Sequence, residues 1–449
     1  MNTQEHNEDV MAAAVADYTQ KYMDFLAVAK TERRAYAEAV RLLEAQGFRE
    51  LADFQTLRPG DKVFRGYHGK TLFAAVVGQA PVTQGIQVVG GHTDAPRLDL
   101  KPKPLYEKDG VAYFDTHIYG GIKKYQWLVL PLALYGTIVK KDGTTVDVAV
   151  GDKPGDPVFM ISDILPHFGK EQLEKKAKDA VAAEDMDVIC GLGSVEEYFK
   201  TTYGVTKEDL LSAELEIVPA GAPREVGLDR ALIAAYGHDD RVCAFAGLQA
   251  LMDVVADGHV PPKTCAVVLC DKEEIGSVGA SGMESSFFEN TVAELIDRQT
   301  PNARDIDVRR ALERSQMLSA DVCAASDPHF PDADSIGNTA RLGAGPCAIK
   351  YTGPATKAGA SDARAEFIAE IRRIMDDAQV VWQMAELGRA EKGGGGTIAK
   401  CMARFGMDVI DFGTPLLNMH APWELAAKHD CYQTKQAYFQ FFIKGGEVH

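Results

Sequence analysis

Acidic and imidazole side chains recur in this sequence directly after apolar runs, a placement that suits the binding of metal ions. The clearest case is the stretch from Cys265 to Ser277, Cys-Ala-Val-Val-Leu-Cys-Asp-Lys-Glu-Glu-Ile-Gly-Ser. Cys265 to Cys270 is apolar without alternation, which predicts a central strand buried on both faces. It runs into Glu273 and Glu274, adjacent carboxylates whose repulsion and desolvation a cation would relieve. An isolated Glu-Glu pair is more often an exposed acidic turn, so this stretch needs company. Four other segments supply it: Gly90-Gly91-His92-Thr93-Asp94, Gly237-His238-Asp239-Asp240-Arg241, Ser319-Ala320-Asp321 and Asn418-Met419-His420. A lone His or Asp at a strand end is usually structural. Several such ends matter together, because an open α/β sheet gathers ligands in the crevice outside the carboxyl ends of its strands.

The elements that would carry these residues alternate. Strands are expected at Leu72 to Gly78, Ile86 to Gly91, Ala231 to Tyr236, Cys265 to Cys270, Met317 to Val322, Pro346 to Thr352, Val380 to Met384 and Met407 to Phe412. Two helices are expected within residues 8–46, others after Val242 and across Phe287 to Asp297, Asp305 to Arg314 and Ser361 to Met375. A long final helix is expected from Trp423. Such alternation predicts an α/β fold, a mainly parallel sheet flanked by helices. Between Arg97 and Leu228 the texture changes to short β-type runs broken by Gly, Pro and Asp, with a Lys-rich, helix-like interruption from Glu171 to Ala183. Since α/β texture lies on both sides, residues 97–228 read as a β-rich unit of roughly 130 residues, within the usual domain range, inserted into a domain made of 1–96 plus 229–449.

Bulk properties narrow the function. The 449-residue chain is 46% apolar with a net charge of −17, which argues against nucleic acid or an anionic membrane as partner. The first 22 residues carry several acids and no basic region followed by an apolar core, unlike a secretion signal. No apolar run approaches the roughly 20 residues needed to span a bilayer. The eight cysteines are scattered without a Cys-x-x-Cys pair, so neither a zinc ribbon nor a disulfide framework is expected, and a reducing, cytoplasmic setting follows.

The order His, Asp, Glu-Glu, Asp, His is the ligand order of dinuclear zinc exopeptidases. His-Thr-Asp at 92–94, Asp-Asp-Arg at 239–241, Glu-Glu-Ile-Gly-Ser at 273–277, Ser-Ala-Asp at 319–321 and Asn-Met-His-Ala-Pro-Trp-Glu at 418–424 together resemble the aspartyl aminopeptidase family of zinc peptidases. The resemblance spans essentially the whole chain, including the long insertion that separates His92 from Asp239 by 147 positions. It implies that His92 and Asp321 hold one divalent ion and Glu274 and His420 a second, with Asp239 bridging. Asp239 takes that role over Asp240 because it is the first of the pair. Glu273 would be the general base, and Asp94 would orient His92, the competing reading of Asp94 being a cap on the turn before Pro96. Two zinc ions are expected, although manganese or cobalt suits the same donors. Peptides would be the substrates, and the inserted unit would build dimers and then tetrahedral shells of twelve. A deacylase or other amidohydrolase using the same pair of metals is the rival. A non-catalytic scaffold would have no need of Glu273.

Two further residues follow from the resemblance alone. His167, in Ile161-Ser162-Asp163-Ile164-Leu165-Pro166-His167, matches a histidine that reaches a neighbouring subunit's active site and steadies substrate; an exposed loop residue without a role is the alternative. Lys357 is the best match, after a one-residue shift, for the cation that would select an acidic N-terminal residue. The Gly393 to Gly396 run lacks the Lys-Ser/Thr of a phosphate loop and reads as backbone open to substrate, or as a plain flexible loop. Lys123 and Lys124, in Tyr119-Gly120-Gly121-Ile122-Lys123-Lys124-Tyr125, depart from the best-known members and mark a divergent branch.

Overall fold

The computed structural model describes residues 3–446 except 152, 257, 259, 336, 354, 355, 390, 392 and 393. Its centre is a nine-stranded sheet ordered Arg49–Glu50, Lys62–Tyr67, Thr71–Val76, Thr264–Cys270, Ile86–His92, Gln316–Ser319, Asp408–Gly413, Cys347–Ile349 and Gln383–Ala385. The four strands from Thr264–Cys270 to Asp408–Gly413 run parallel, and antiparallel pairings join this core to the strands on either side. The sheet is therefore mixed around a parallel centre, and the site-bearing loops leave the same ends of three adjacent parallel strands.

The central strands are buried along their whole length. One face packs on Phe245 and Leu248 of helix His238–Ala256 and on Phe441 of helix Lys428–Lys444. The other packs on Phe287, Leu295 and Ile296 of helix Phe287–Gln299 and on Met402. Burying both faces is what lets these strands be apolar without alternation. The two amino-terminal helices lie at Thr3–Val28 and Glu32–Ala45, the second capped by the Thr31 side chain accepting from Arg34 N–H.

Residues of the inserted stretch form a second, entirely antiparallel sheet of six strands: Thr145–Val150, Leu132–Val139, Ala213–Pro219, Arg97–Lys108, Val111–Tyr119 and Val188–Gly191. Its core centres on Trp127, Tyr135, Phe114 and Ile217. The long helix-like interruption is absent: only Lys170–Leu173 forms a single turn with no buried residue, because the lysines leave no apolar face to pack. A third sheet of five short strands includes Leu232–Ala235, Pro415–Leu417 and Glu424–Ala427. Glu424–Ala427 takes the first turn expected of the final helix, which starts at Lys428. No helix among the described residues is long and apolar enough to cross a membrane.

Candidate metal centre

Each acidic or imidazole group enters the crevice from its own element. His92 is the last residue of the strand Ile86–His92, and Glu273 and Glu274 sit in the short turn after Thr264–Cys270. Asp321 follows Gln316–Ser319, Asp239 opens the helix His238–Ala256 across a cis Asp239–Asp240 peptide, and His420 stands in a left-handed conformation after Pro415–Leu417. Glycine makes room for this. A Cβ on Gly91 would lie 2.5 Å from Asp240 Oδ2 and 2.9 Å from the Ala320 carbonyl oxygen, so only glycine lets strand, helix and loop close to this distance.

The groups meet. His92 Nε2 lies 3.3 Å from Asp239 Oδ1 and 3.9 Å from Asp321 Oδ1. His420 Nε2 lies 3.2 Å from Asp239 Oδ2 and 3.5 Å from Glu274 Oε2. Asp239 thus offers one oxygen to each imidazole. Donor atoms of His92, Glu273 and Asp321 lie within 4.8 Å of one another, as do those of His92, Asp239 and Glu274. His92, Asp239 and Asp321 are buried and Glu273 and Glu274 partly so, while His420, its side chain 37% exposed, forms the rim.

Electrostatics identify what the cluster lacks. Among the described ion pairs none joins Asp239, Asp240, Glu273, Glu274 or Asp321 to a lysine or arginine. Asp239 Oδ1 and Glu274 Oε1 are buried with no hydrogen-bond partner. Burial pushes the Glu273 carboxyl up to about 7, with His92 pulling it back and Asp94 and Asp239 driving it up. Burial also raises Asp321 and Glu274 well above the usual carboxylate range. Burial opposes charge on His420 too, yet Asp239 and Glu274 hold its imidazole up to about 10. Burial also opposes charge on Asp239, yet His420 and His92 hold its carboxyl below the usual range. Carboxylates this crowded, with no lysine or arginine among their described ion-pair partners, fit divalent cations.

A shell of supporting contacts fixes the donors. His92 Nδ1 faces the Asp94 carbonyl at 3.1 Å and its carboxylate at 3.3 Å. Asp94 in turn accepts the backbone N–H of Glu273 and of Glu274, both at 3.2 Å, and the Tyr119 hydroxyl at 2.8 Å. Glu424, absent from the sequence-derived set, accepts the backbone N–H of Asp239 at 3.0 Å and of His420 at 2.7 Å. Its sequence signals were its place at the end of the 418–424 motif and its spacing of four residues after His420, in an otherwise apolar strand. Asp240 accepts the His92 N–H at 3.2 Å, which separates its place from that of Asp239.

Two expected residues stand apart. His167 lies on an exposed turn of the inserted unit, and no contact among the described residues brings it to the cluster. Lys357 is half exposed, bonded to Asp362 at 3.1 Å with its ammonium 3.6 Å from the centre of the Tyr351 ring. Gly394 to Gly396 are exposed coil leading to the helix Ala399–Ala403, and Gly393 lies outside the described residues.

A family model described as Aminopeptidase I zinc metalloprotease (M18) matches residues 25–442. The chain belongs to this aminopeptidase family. It is 45% identical to a probable M18 family aminopeptidase 1 of Clostridium acetobutylicum, over 98% of this chain and 97% of that one. The crystal structure of an M18-family aminopeptidase from Thermotoga maritima superposes with a TM-score of 0.92 at 40% identity, over 96% of both chains. The S. cerevisiae mApe1 dodecamer shares the fold, with a TM-score of 0.78 at 21% identity over 96% of this chain and 99% of that one. Family membership makes the protein a zinc metallo-aminopeptidase, a hydrolase of peptide bonds, and accords with the resemblance read from its five short motifs.

Proposed function

We propose that the protein removes single N-terminal residues from peptides with two divalent cations, His92 and Asp321 holding one, Glu274 and His420 the other, and Asp239 both. The observation that carries this is the Asp239 carboxylate, which faces His92 with one oxygen and His420 with the other at 3.3 and 3.2 Å. Bound there, two cations would supply Lewis acidity for the peptide carbonyl and for an attacking water. Zinc is the choice that the family supports, and manganese or cobalt could use the same donors. Glu273 is the group left to move protons. As a carboxylate it takes the proton from water, and as the acid it delivers that proton to the departing amine. Its raised affinity for protons suits both halves of that exchange. Asp94 holds the His92 ring through Nδ1 and leaves Nε2 directed into the cluster.

Residues 1–96 with 229–449 would form the catalytic domain and 97–228 an oligomerisation domain. Assembly as dimers into a tetrahedral shell of twelve is supported by the fold shared with the mApe1 dodecamer. Within one chain His167 has no path to the cluster among the described contacts, so its role in steadying substrate would be played in a neighbour's site. An acidic N-terminal residue would have to compete with Asp362 for Lys357. The protein would work in the cytoplasm with peptides as substrates and copies of itself as partners, and its net charge of −17 is in keeping with the lack of a nucleic-acid or anionic-membrane partner.

The deciding experiment is metal analysis of the purified protein alongside hydrolysis of Asp-, Glu-, Leu- and Lys-anilides and of acyl-amino acids. Two equivalents of metal and turnover confined to free-amine anilides are expected. Turnover of acyl-amino acids alone would make it a deacylase, and fewer than two equivalents in active enzyme would end the two-metal assignment.

A further inference from the structure

We infer that three consecutive residues of the inserted unit, Tyr119-Gly120-Gly121, set the orientation of both imidazoles in the metal centre, with Tyr119 acting as a positioning residue through Asp94. This deepens the two-metal reading and rests on it. Each histidine presents Nε2 to the cluster and must have Nδ1 fixed from behind. For His420 the partner is the Gly121 carbonyl oxygen, 3.0 Å from Nδ1. For His92 it is Asp94, through its backbone carbonyl at 3.1 Å and its Oδ1 at 3.3 Å, and the other carboxylate oxygen, Oδ2, receives the Tyr119 hydroxyl at 2.8 Å. The same carboxylate accepts the N–H groups of Glu273 and Glu274, so one hydroxyl bears on a ligand imidazole and on the turn that carries the base.

The segment is itself held rigidly. Tyr119 is buried at the end of strand Val111–Tyr119, with the Arg97 guanidinium 3.9 Å from the centre of its ring. Arg97 is buried and fixed by Asp99 at 2.7 Å, Glu32 at 3.2 Å and Glu216 at 3.3 Å. Glu32 also pairs with Lys70 at 3.0 Å, which ties this joint to the main sheet's own helix and hairpin. Gly120 has φ +73° and is pressed against Pro96, with atoms 3.3 Å from where a Cβ would stand. A side chain there would be strained and would lift the loop off both histidines.

The test compares Tyr119→Phe with Tyr236→Phe. Tyr236 is buried in the same joint, but its hydroxyl donates to the Pro96 carbonyl at 3.0 Å and not to Asp94. Zinc affinity is measured by chelator competition, kcat and KM on an aminoacyl-anilide, and folding by thermal melting. For Tyr119→Phe we expect zinc affinity to weaken about 10- to 100-fold, and kcat to fall with KM little changed. Tyr236→Phe should bind zinc as the parent does, whatever its melting temperature. Equal zinc affinity in Tyr119→Phe and parent would overturn the inference, as would equal weakening in both variants, which would report only a loosened joint. A parent protein that binds no pair of zinc ions would instead overturn the two-metal reading.

Discussion

At the scale of single residues, the position of Glu273 decides the chemistry. Its side chain lies beside the metal-type donors with a proton affinity raised to about 7 by burial and the neighbouring acids. Replacing it by glutamine keeps its size and removes the base, so kcat should fall by about 10²- to 10⁴-fold while metal content stays at the parent level. Steady-state rates paired with metal analysis check this, and metal lost along with the rate would recast Glu273 as a ligand. A base acts when deprotonated, so kcat/KM should rise with pH. Two cations nearby favour the carboxylate, so the rise should fall below pH 7, and Glu273→Gln should abolish it. That His92, Asp239, Glu274, Asp321 and His420 stand at the ends of apolar runs was legible in the sequence, whereas the roles proposed for them and for Asp94 came from the family resemblance. The contacts of Tyr119 and Glu424 were not legible, since their partners, Asp94 and Asp239, lie 25 and 185 positions away.

At the scale of elements, close approach carries the argument. Gly91 is where strand, helix start and the Asp321 loop come together. Gly91→Ala should cost about 1–3 kcal/mol of stability, read by denaturant titration, and should disturb the Asp240 contact to the His92 N–H. Asp411, buried in the strand Asp408–Gly413, makes a second case. Burial pushes its carboxyl up to about 6, with Ser319 and Thr397 hydroxyls drawing it part of the way back. The folded state therefore holds this proton more tightly than the unfolded chain does. Its contribution is fullest below the usual value of 3.8 and is lost as pH rises through 6, a change of about 3 kcal/mol. Asp411→Asn should flatten stability between pH 4 and 6, and an unchanged slope would exonerate this residue. Strand existence was legible from unbroken apolar runs. Strand direction was less so, because pairing sense depends on connections that local pattern does not encode. The Glu424–Ala427 strand was hidden because its residues suit a helix as well as they suit a strand.

At the scale of the whole molecule, the prediction concerns metal and assembly together. Removing metal by chelation should abolish peptidase activity, zinc should restore it, and the melting temperature should fall and recover in step, since folded-state ligands stabilise by mass action. Activity that survives full removal of metal would refute the metallo-enzyme reading. The change of texture at residue 97 was visible in the sequence, whereas the joint made by Glu32, Lys70, Arg97 and Glu216 was not, because it is assembled from four separate stretches. A consequence follows for biosynthesis. The ribosome delivers His92 early, then Tyr119 and the six-stranded unit, and His420 only 328 positions after His92. On the roles proposed for Tyr119 and His420, hydrolytic competence would wait until the appendage is folded and His420 has emerged, so the nascent chain would spend its vulnerable period as a silent protease.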